Sequence, residues 1–150
     1  MSVVDFGDID LNLFVSLLTL GDTFNKQVAE SLTVHKISKP QFDVLYVISR
    51  SATKRETLTS LVQEHAFSKS NVSSILTRLE KRGLIRRVKD EHDKRITWLE
   101  TTEQGEDFLA QIIPSYVKKI KDLLQAIPEE EKQKFFKYSE NIRKNLLAYI

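Results

Sequence analysis

Apolar residues recur every three or four positions over much of this chain, the spacing that gathers them on one side of an α-helix. Ile9, Leu13, Leu17, Leu20, Phe24, Val28 and Leu32 form the first such stripe, and Asp8 stands near its start, where negative charge suits the helix dipole. A second helix begins near Ser38, a good N-cap, with Pro40 tolerated in the first turn. Phe42, Leu45, Tyr46 and Ile48 or Ser49 follow, and this helix should end within residues 50–53. Thr57 caps a short third helix over 57–64. After a break at His65, Ala66 and Phe67, Ser68 is placed to cap a fourth that runs to Arg82. Gly83 stops it, because glycine adopts the left-handed conformation past a helix end without strain.

The pattern then changes. Residues 84–89 and 95–99 are rich in β-branched, aromatic and aliphatic side chains and read as two short strands. Asp90, Glu91, His92, Asp93 and Lys94 between them make a polar, exposed hairpin tip. After Thr101 or Thr102 the helical spacing returns with Phe108, Ile112, Tyr116, Ile120, Leu123 and Ile127; Pro114 inside that stripe should kink or bend the helix. Pro128, placed at the first helical position, and Glu129, Glu130 and Glu131 open a last helix carrying Phe135, Tyr138, Ile142, Leu146 and Tyr149. Internal repeats are absent, and 3 prolines and 4 glycines leave no room for a long linker. Short helix, turn, second helix and two-stranded hairpin, in that order, make a winged helix-turn-helix. The expected fold is mainly α with a small β-hairpin wing, flanked by long terminal helices.

Composition narrows the function classes. The 150 residues suit one domain with helical extensions, and 41% apolar residues suffice for a core. The chain has no cysteine, which excludes disulfides, thiolate metal sites and a cysteine redox switch. The N-terminus lacks the basic start of a secretory signal, and the most apolar stretch, 11–20, is interrupted by Asn12, Ser16 and Thr19. That stretch is also shorter than the roughly 20 residues a bilayer requires. The expectation is a soluble, cytoplasmic protein with no membrane partner.

Net charge is only +2, but it is unevenly spread. From Lys54 to Arg95 there are 11 Lys and Arg against 6 Asp and Glu, a net of +5, so the remainder sums to −3. A basic middle between mildly acidic flanks fits a nucleic-acid module in a neutral scaffold, although a merely uneven solvated surface would look the same. The fourth helix separates the two. Val72, Ile75, Leu76 and Leu79 fall on one face, at core-facing spacing. The other face carries Ser68, Lys69, Ser70, Asn71, Ser73, Ser74, Thr77, Arg78 and Lys81. Small hydrogen-bonding side chains let a helix approach base edges, cations contact phosphate, and the free amides of the helix start suit a phosphate as well. An ordinary exposed face would mix in glutamates, yet Glu80 is the one acid between Ser68 and Lys89, against seven Lys and Arg.

Three motifs carry a resemblance. Leu79-Glu80-Lys81-Arg82-Gly83-Leu84-Ile85-Arg86-Arg87, then Asp93-Lys94-Arg95, then Thr102-Glu103-Gln104-Gly105 are similar to those of the MarR (multiple antibiotic resistance regulator) family. The resemblance covers residues 37–105 directly and the flanks through helix order and length. Thr101 departs from the leucine usual there. The resemblance implies a transcription regulator, usually a repressor, that binds double-stranded DNA as a homodimer on a pseudo-palindromic operator. Residues 1–36 and 102–150 would be the helical dimerisation region and 37–101 the DNA-binding domain. Ser68, Lys69, Asn71, Ser73, Ser74, Thr77 and Arg78 would lie on the helix placed in the major groove. Arg95 would enter the minor groove, oriented by Asp93. Independently, a guanidinium is favoured by the negative potential of a narrow minor groove, and a carboxylate two residues away on a strand shares its face. The plainer role for that pair is a surface ion pair stabilising the hairpin, and the two roles are compatible. A small aromatic or lipophilic effector would sit near the first, second and fifth helices.

Other chemistry finds no support. His35, His65 and His92 form no ligand pair at helical spacing, so no metal site is expected, and peroxide-sensing relatives use a cysteine that this chain lacks. Neither a phosphate-binding glycine loop nor a nucleophile–base pairing appears, so neither an enzyme nor a cofactor is expected. Two competitors remain: a winged-helix protein-interaction module, which would not need a basic face, and a regulator that answers to no ligand.

Overall fold

The helices begin and end at the chemistry that capping requires. The computed structural model describes residues 4–63 and 67–147; the expectations placed on Glu64, His65, Ala66 and Tyr149 lie outside them. α1 (Ile9–Thr33) starts at Asp8, whose carboxylate accepts the Leu11 amide. α2 (Lys39–Arg50) starts at Ser38 with a full capping box: the hydroxyl accepts from Gln41 N, and the Gln41 side chain accepts from Ser38 N. β1 (Arg55–Glu56) leads into α3 (Leu58–Gln63), where the Thr57 hydroxyl accepts the Ser60 amide at 3.0 Å. α4 (Lys69–Lys81) closes at Gly83, with φ +72°. The Leu84 amide reaches back to Leu79 O and the Gly83 amide to Glu80 O, so two otherwise orphaned carbonyls are satisfied. β2 (Ile85–Lys89), β3 (Thr97–Thr101), α5 (Glu103–Leu123) and α6 (Glu129–Leu147) complete the chain. Pro114 lies within α5, which continues on both sides of it. Pro128 stands one position earlier than expected, its carbonyl accepting the first helical bond of α6.

The strands form an antiparallel sheet in the order β1-β3-β2. This corrects the two-stranded hairpin: β1 is only two residues long, too short to show a period, and pairs Arg55 with Glu100 and Glu56 with Leu99. The second wing strand also begins two residues later than expected. Arg95 and Ile96 belong to the tip, because side chains within residues 90–96 take over the backbone bonds that would otherwise extend the ladder.

One continuous core joins the winged region to the flanking helices. Leu32, Ile37, Leu45 and Ile48 pack in it with Leu61, Leu76, Leu79, Leu99, Leu109 and Ile112. Two sequence features fit α5 against the wing. The Thr102 hydroxyl donates to Gly83 O at 2.5 Å and accepts the Gly105 amide at 3.0 Å. Gly105 itself presses on the Leu84 carbonyl, where an added Cβ would lie 2.1 Å from the oxygen. The threonine-to-glycine helix entry is therefore a packing requirement.

The apolar stripe of α1 is buried only at its C-terminal end, at Val28 and Leu32. Ile9 is 78% exposed, and Leu11, Leu13, Phe14, Leu18 and Leu20 are also open to solvent. Among the described residues α6 buries none, leaving Phe135, Phe136, Tyr138, Ile142 and Leu146 exposed. No helix among the described residues is long and apolar enough to cross a membrane.

Candidate nucleic-acid interface

The inward side of α4 is fixed by Val72, Leu76 and Leu79, all buried, with Ile75 half-buried beside them. This leaves Ser68, Lys69, Ser70, Asn71, Ser73, Ser74, Thr77, Arg78 and Lys81 exposed together on the outer side. Ser68 has the extended backbone of an N-cap, but its hydroxyl pairs with the Ser70 hydroxyl at 3.0 Å and caps no amide. The start of α4 is thus left open to an anion. Ser73, Ser74 and Thr77 hydroxyls donate to carbonyls of their own helix, which keeps them short and leaves their oxygens able to accept.

The basic run divides into two groups. Arg86 is held by Glu100 through two bonds at 3.0 and 2.9 Å, and Arg87 by Glu80 at 3.1 Å. Lys89 donates to the Thr97 hydroxyl. Arg82 turns away from the face, donating to Lys36 O at 3.0 Å and covering the Phe108 ring. Among the described residues Lys69, Arg78 and Lys81 have no such side-chain partner. Their charge is therefore available to an external anion, a distinction that a count of cations along the chain cannot make.

At the wing tip Arg95 is 92% exposed and bound to Asp93. Asp93 Oδ1 accepts the Arg95 amide at 3.0 Å and Nε at 3.1 Å, and Oδ2 accepts Nη2 at 3.2 Å. The Arg95 side chain, helped by its amide, holds the Asp93 carboxyl below the usual range. The two residues meet as expected, but through a turn and not along a strand face: the carboxylate grips both the backbone and the side chain of a residue two positions on.

Sequence reasoning missed what lies beneath that turn. Asp90 Oδ1 accepts the amides of His92 and Asp93 at 2.9 and 3.0 Å, and its Oδ2 accepts Trp98 Nε1 at 2.7 Å. The Trp98 bond, then the two amides, bring the Asp90 pKa down to about 2. The Arg55 guanidinium covers the Trp98 ring at 4.3 Å. The available signal was a tryptophan in a strand eight residues after an aspartate, which becomes informative once the register pairs Trp98 with Val88. A cleft of about 520 Å³ runs here, lined by Thr57, Thr59, Arg87, Arg95 and Trp98 among others.

A second polar cluster ties α5 to α2 and the sheet. Glu106 accepts the Thr101 hydroxyl at 2.5 Å and the Ser49 hydroxyl at 2.9 Å. Burial opposes its charge, but the two hydroxyls and the nearby Arg50 and Lys54 outweigh it, so the carboxyl sits below its ordinary range. The hydroxyl at Thr101, where leucine is usual in the resembling family, serves this cluster. Between α1 and α5 lies an apolar hollow of about 190 Å³ lined by Phe24, Val28, Ile120, Leu123 and Leu124.

Residues 35–96 match the model of the MarR family. The transcriptional regulator HosA of Escherichia coli O157:H7 is 30% identical over 99 residues, covering 66% of this chain and 72% of that protein. The HTH-type transcriptional repressor YetL of Bacillus subtilis is 24% identical over 146 residues, 97% of this chain and 86% of its own length. Among solved structures, Sco3205, a MarR family transcriptional regulator from Streptomyces coelicolor in complex with DNA, superposes with a TM-score of 0.82. Its sequence identity is 19%, over 89% of this chain and 88% of that one.

Proposed function

The chain belongs to the MarR family of transcription regulators, and from that premise we propose that it represses transcription as a homodimer on a pseudo-palindromic operator. α4 enters the major groove, with Ser68, Lys69, Asn71, Ser73, Ser74, Thr77 and Arg78 facing base edges and phosphates. The wing tip enters the adjacent minor groove with Arg95, steadied by Asp93. Residues 37–101 bind DNA, and 1–36 with 102–150 pair two copies. The observation that carries the reading is the exposed side of α4, where the helix's one acid, Glu80, is engaged by Arg87 and the free cations Lys69 and Arg78 stand beside small hydroxyl and amide side chains. A protein-docking module would have no need of it.

The test is a binding titration with the DNA upstream of the coding sequence. Operator binding should exceed binding to random duplex of equal length and weaken steeply with salt, since displaced counterions scale with phosphates neutralised. Equal affinity for random duplex would refute the reading. A ligand-relieved form of repression is supported by the wholly apolar hollow between α1 and α5, which suits a small aromatic or lipophilic molecule. Phenolic compounds that bind there should raise the melting temperature and lower operator affinity together.

A further inference from the structure

The wing tip is longer than a tight hairpin turn, and seven residues, 90–96, separate its strands. A polar loop of this kind would ordinarily sample many conformations, and an arginine at its end would lose much of its binding energy to ordering. Here one line of contacts runs from the sheet to the arginine. Arg55 on β1 covers one face of Trp98 on β3, and Trp98 Nε1 donates to Asp90. Asp90 holds the amides of His92 and Asp93, and Asp93 holds Arg95 by three bonds. The loop's ends are closed by Asp90 N to Ile96 O at 3.1 Å and Ile96 N to Asp93 O at 2.9 Å. Each hydrogen bond in that line uses a donor and an acceptor that would otherwise be solvated or unpaired, and linked bonds of this kind stiffen one another.

We propose that Trp98 and Asp90 are positioning residues for DNA recognition: they lock the wing tip in the conformation that presents Arg95, and so set the wing's share of operator affinity without touching the operator themselves. The proposal rests on the DNA-binding reading above and assigns a role within it. Trp98 is suited to this because its half-buried ring lies under the Arg55 guanidinium while its one polar atom points at the loop's anchor. A phenylalanine would fill most of the same space and leave Asp90 without that donor. Arg55 backs the ring and makes no side-chain hydrogen bond of its own among the described residues, so it steadies Trp98 by its guanidinium face.

The experiment is a thermodynamic cycle on the full chain, with an operator duplex selected from random sequence by the wild-type protein. Trp98→Phe should weaken operator binding about tenfold, the usual scale of one hydrogen bond to a charged group. Arg95→Ala should weaken it at least as much. The double variant should bind like Arg95→Ala alone, to within about twofold, because Trp98 acts only through Arg95. Binding to random duplex should change little in Trp98→Phe. Asp90→Asn breaks the same contact from the other side and should behave alike, which keeps the test decisive if one variant folds poorly. Trp98 is the chain's 1 tryptophan, so its emission should also shift in Asp90→Asn without DNA. Losses that multiply in the double variant, or Trp98→Phe binding like wild type while Arg95→Ala does not, would overturn the inference and leave the regulator reading intact. Arg78→Ala and Arg95→Ala both binding like wild type would bring down the regulator reading itself.

Discussion

At the scale of single residues, charge matters by what it is already doing. Arg78 and Arg86 both lie in the basic segment, but only Arg78 is uncommitted; Arg86 is engaged by Glu100. Arg78→Ala should therefore weaken operator binding by about tenfold or more, and Arg86→Ala by less than about threefold, in the same anisotropy titration. Asp90 makes a further prediction. Its folded pKa is about 2 against an ordinary value of 3.8, so the folded chain binds fewer protons than the unfolded one between those values. The contribution is complete above about pH 4 and fades as the pH falls toward 2. Urea midpoints should drop over that window, and Asp90→Asn should drop less steeply. The carboxylates of Asp93 and Glu106, also lowered, act in the same direction. The cationic outer face of α4 was legible in the sequence because helical spacing alone separates it from Val72, Leu76 and Leu79. The split between free and committed cations was not, because Glu100 and Glu80 reach Arg86 and Arg87 only through the fold.

At the scale of elements, helix ends were the most readable features. Ser38, Thr57 and Gly83 each solve a local backbone problem, and the solution depends on neighbours within a few residues. The wing was harder. Its second strand starts at Thr97 and not Arg95, because Asp90 and Asp93 close the tip with their side chains; a β-rich composition cannot show that competition. β1 owes its existence to pairing with a distant strand, and nothing local announces it. The junction of α5 with the wing gives a quantitative test. Gly105→Ala places a carbon against the Leu84 carbonyl, so the helix entry must move, at a cost of about 2–3 kcal/mol. Gly83→Ala meets only the flexible Gln104 side chain, and its left-handed backbone costs about 1–2 kcal/mol. Denaturant unfolding should rank the two in that order.

At the scale of the whole molecule, the apolar residues in the N-terminal part of α1 and the described ones of α6 remain largely without cover in one chain. Phe136 and Tyr138, 63% and 64% exposed, make α6 a poor candidate for independent stability. A second copy would cover both helices, and Leu13→Glu with Ile142→Glu should shift the species seen by light scattering from dimer to monomer. The same pair of changes should weaken operator binding far more than it weakens a single half-site contact, since two linked reading heads gain from each other's tethering. These stripes were visible as periodicity from the start. Which part of α1 turns inward was not. Ile9 and Val28 belong to one stripe of α1 with the same spacing, and they differ only in what the tertiary structure brings beside them.

The uninterrupted core has a mechanical consequence. Leu32 of α1 and Leu109 of α5 share it with Leu76 and Leu79 of α4, so each subunit behaves like one arm of a fixed calliper. One extra base pair between half-sites displaces them by about 3.4 Å and rotates them by about 35°. A reading helix held by the same core as α1 and α5 cannot move independently to absorb that error, so a single-pair insertion at the operator centre should abolish cooperative engagement of the two halves.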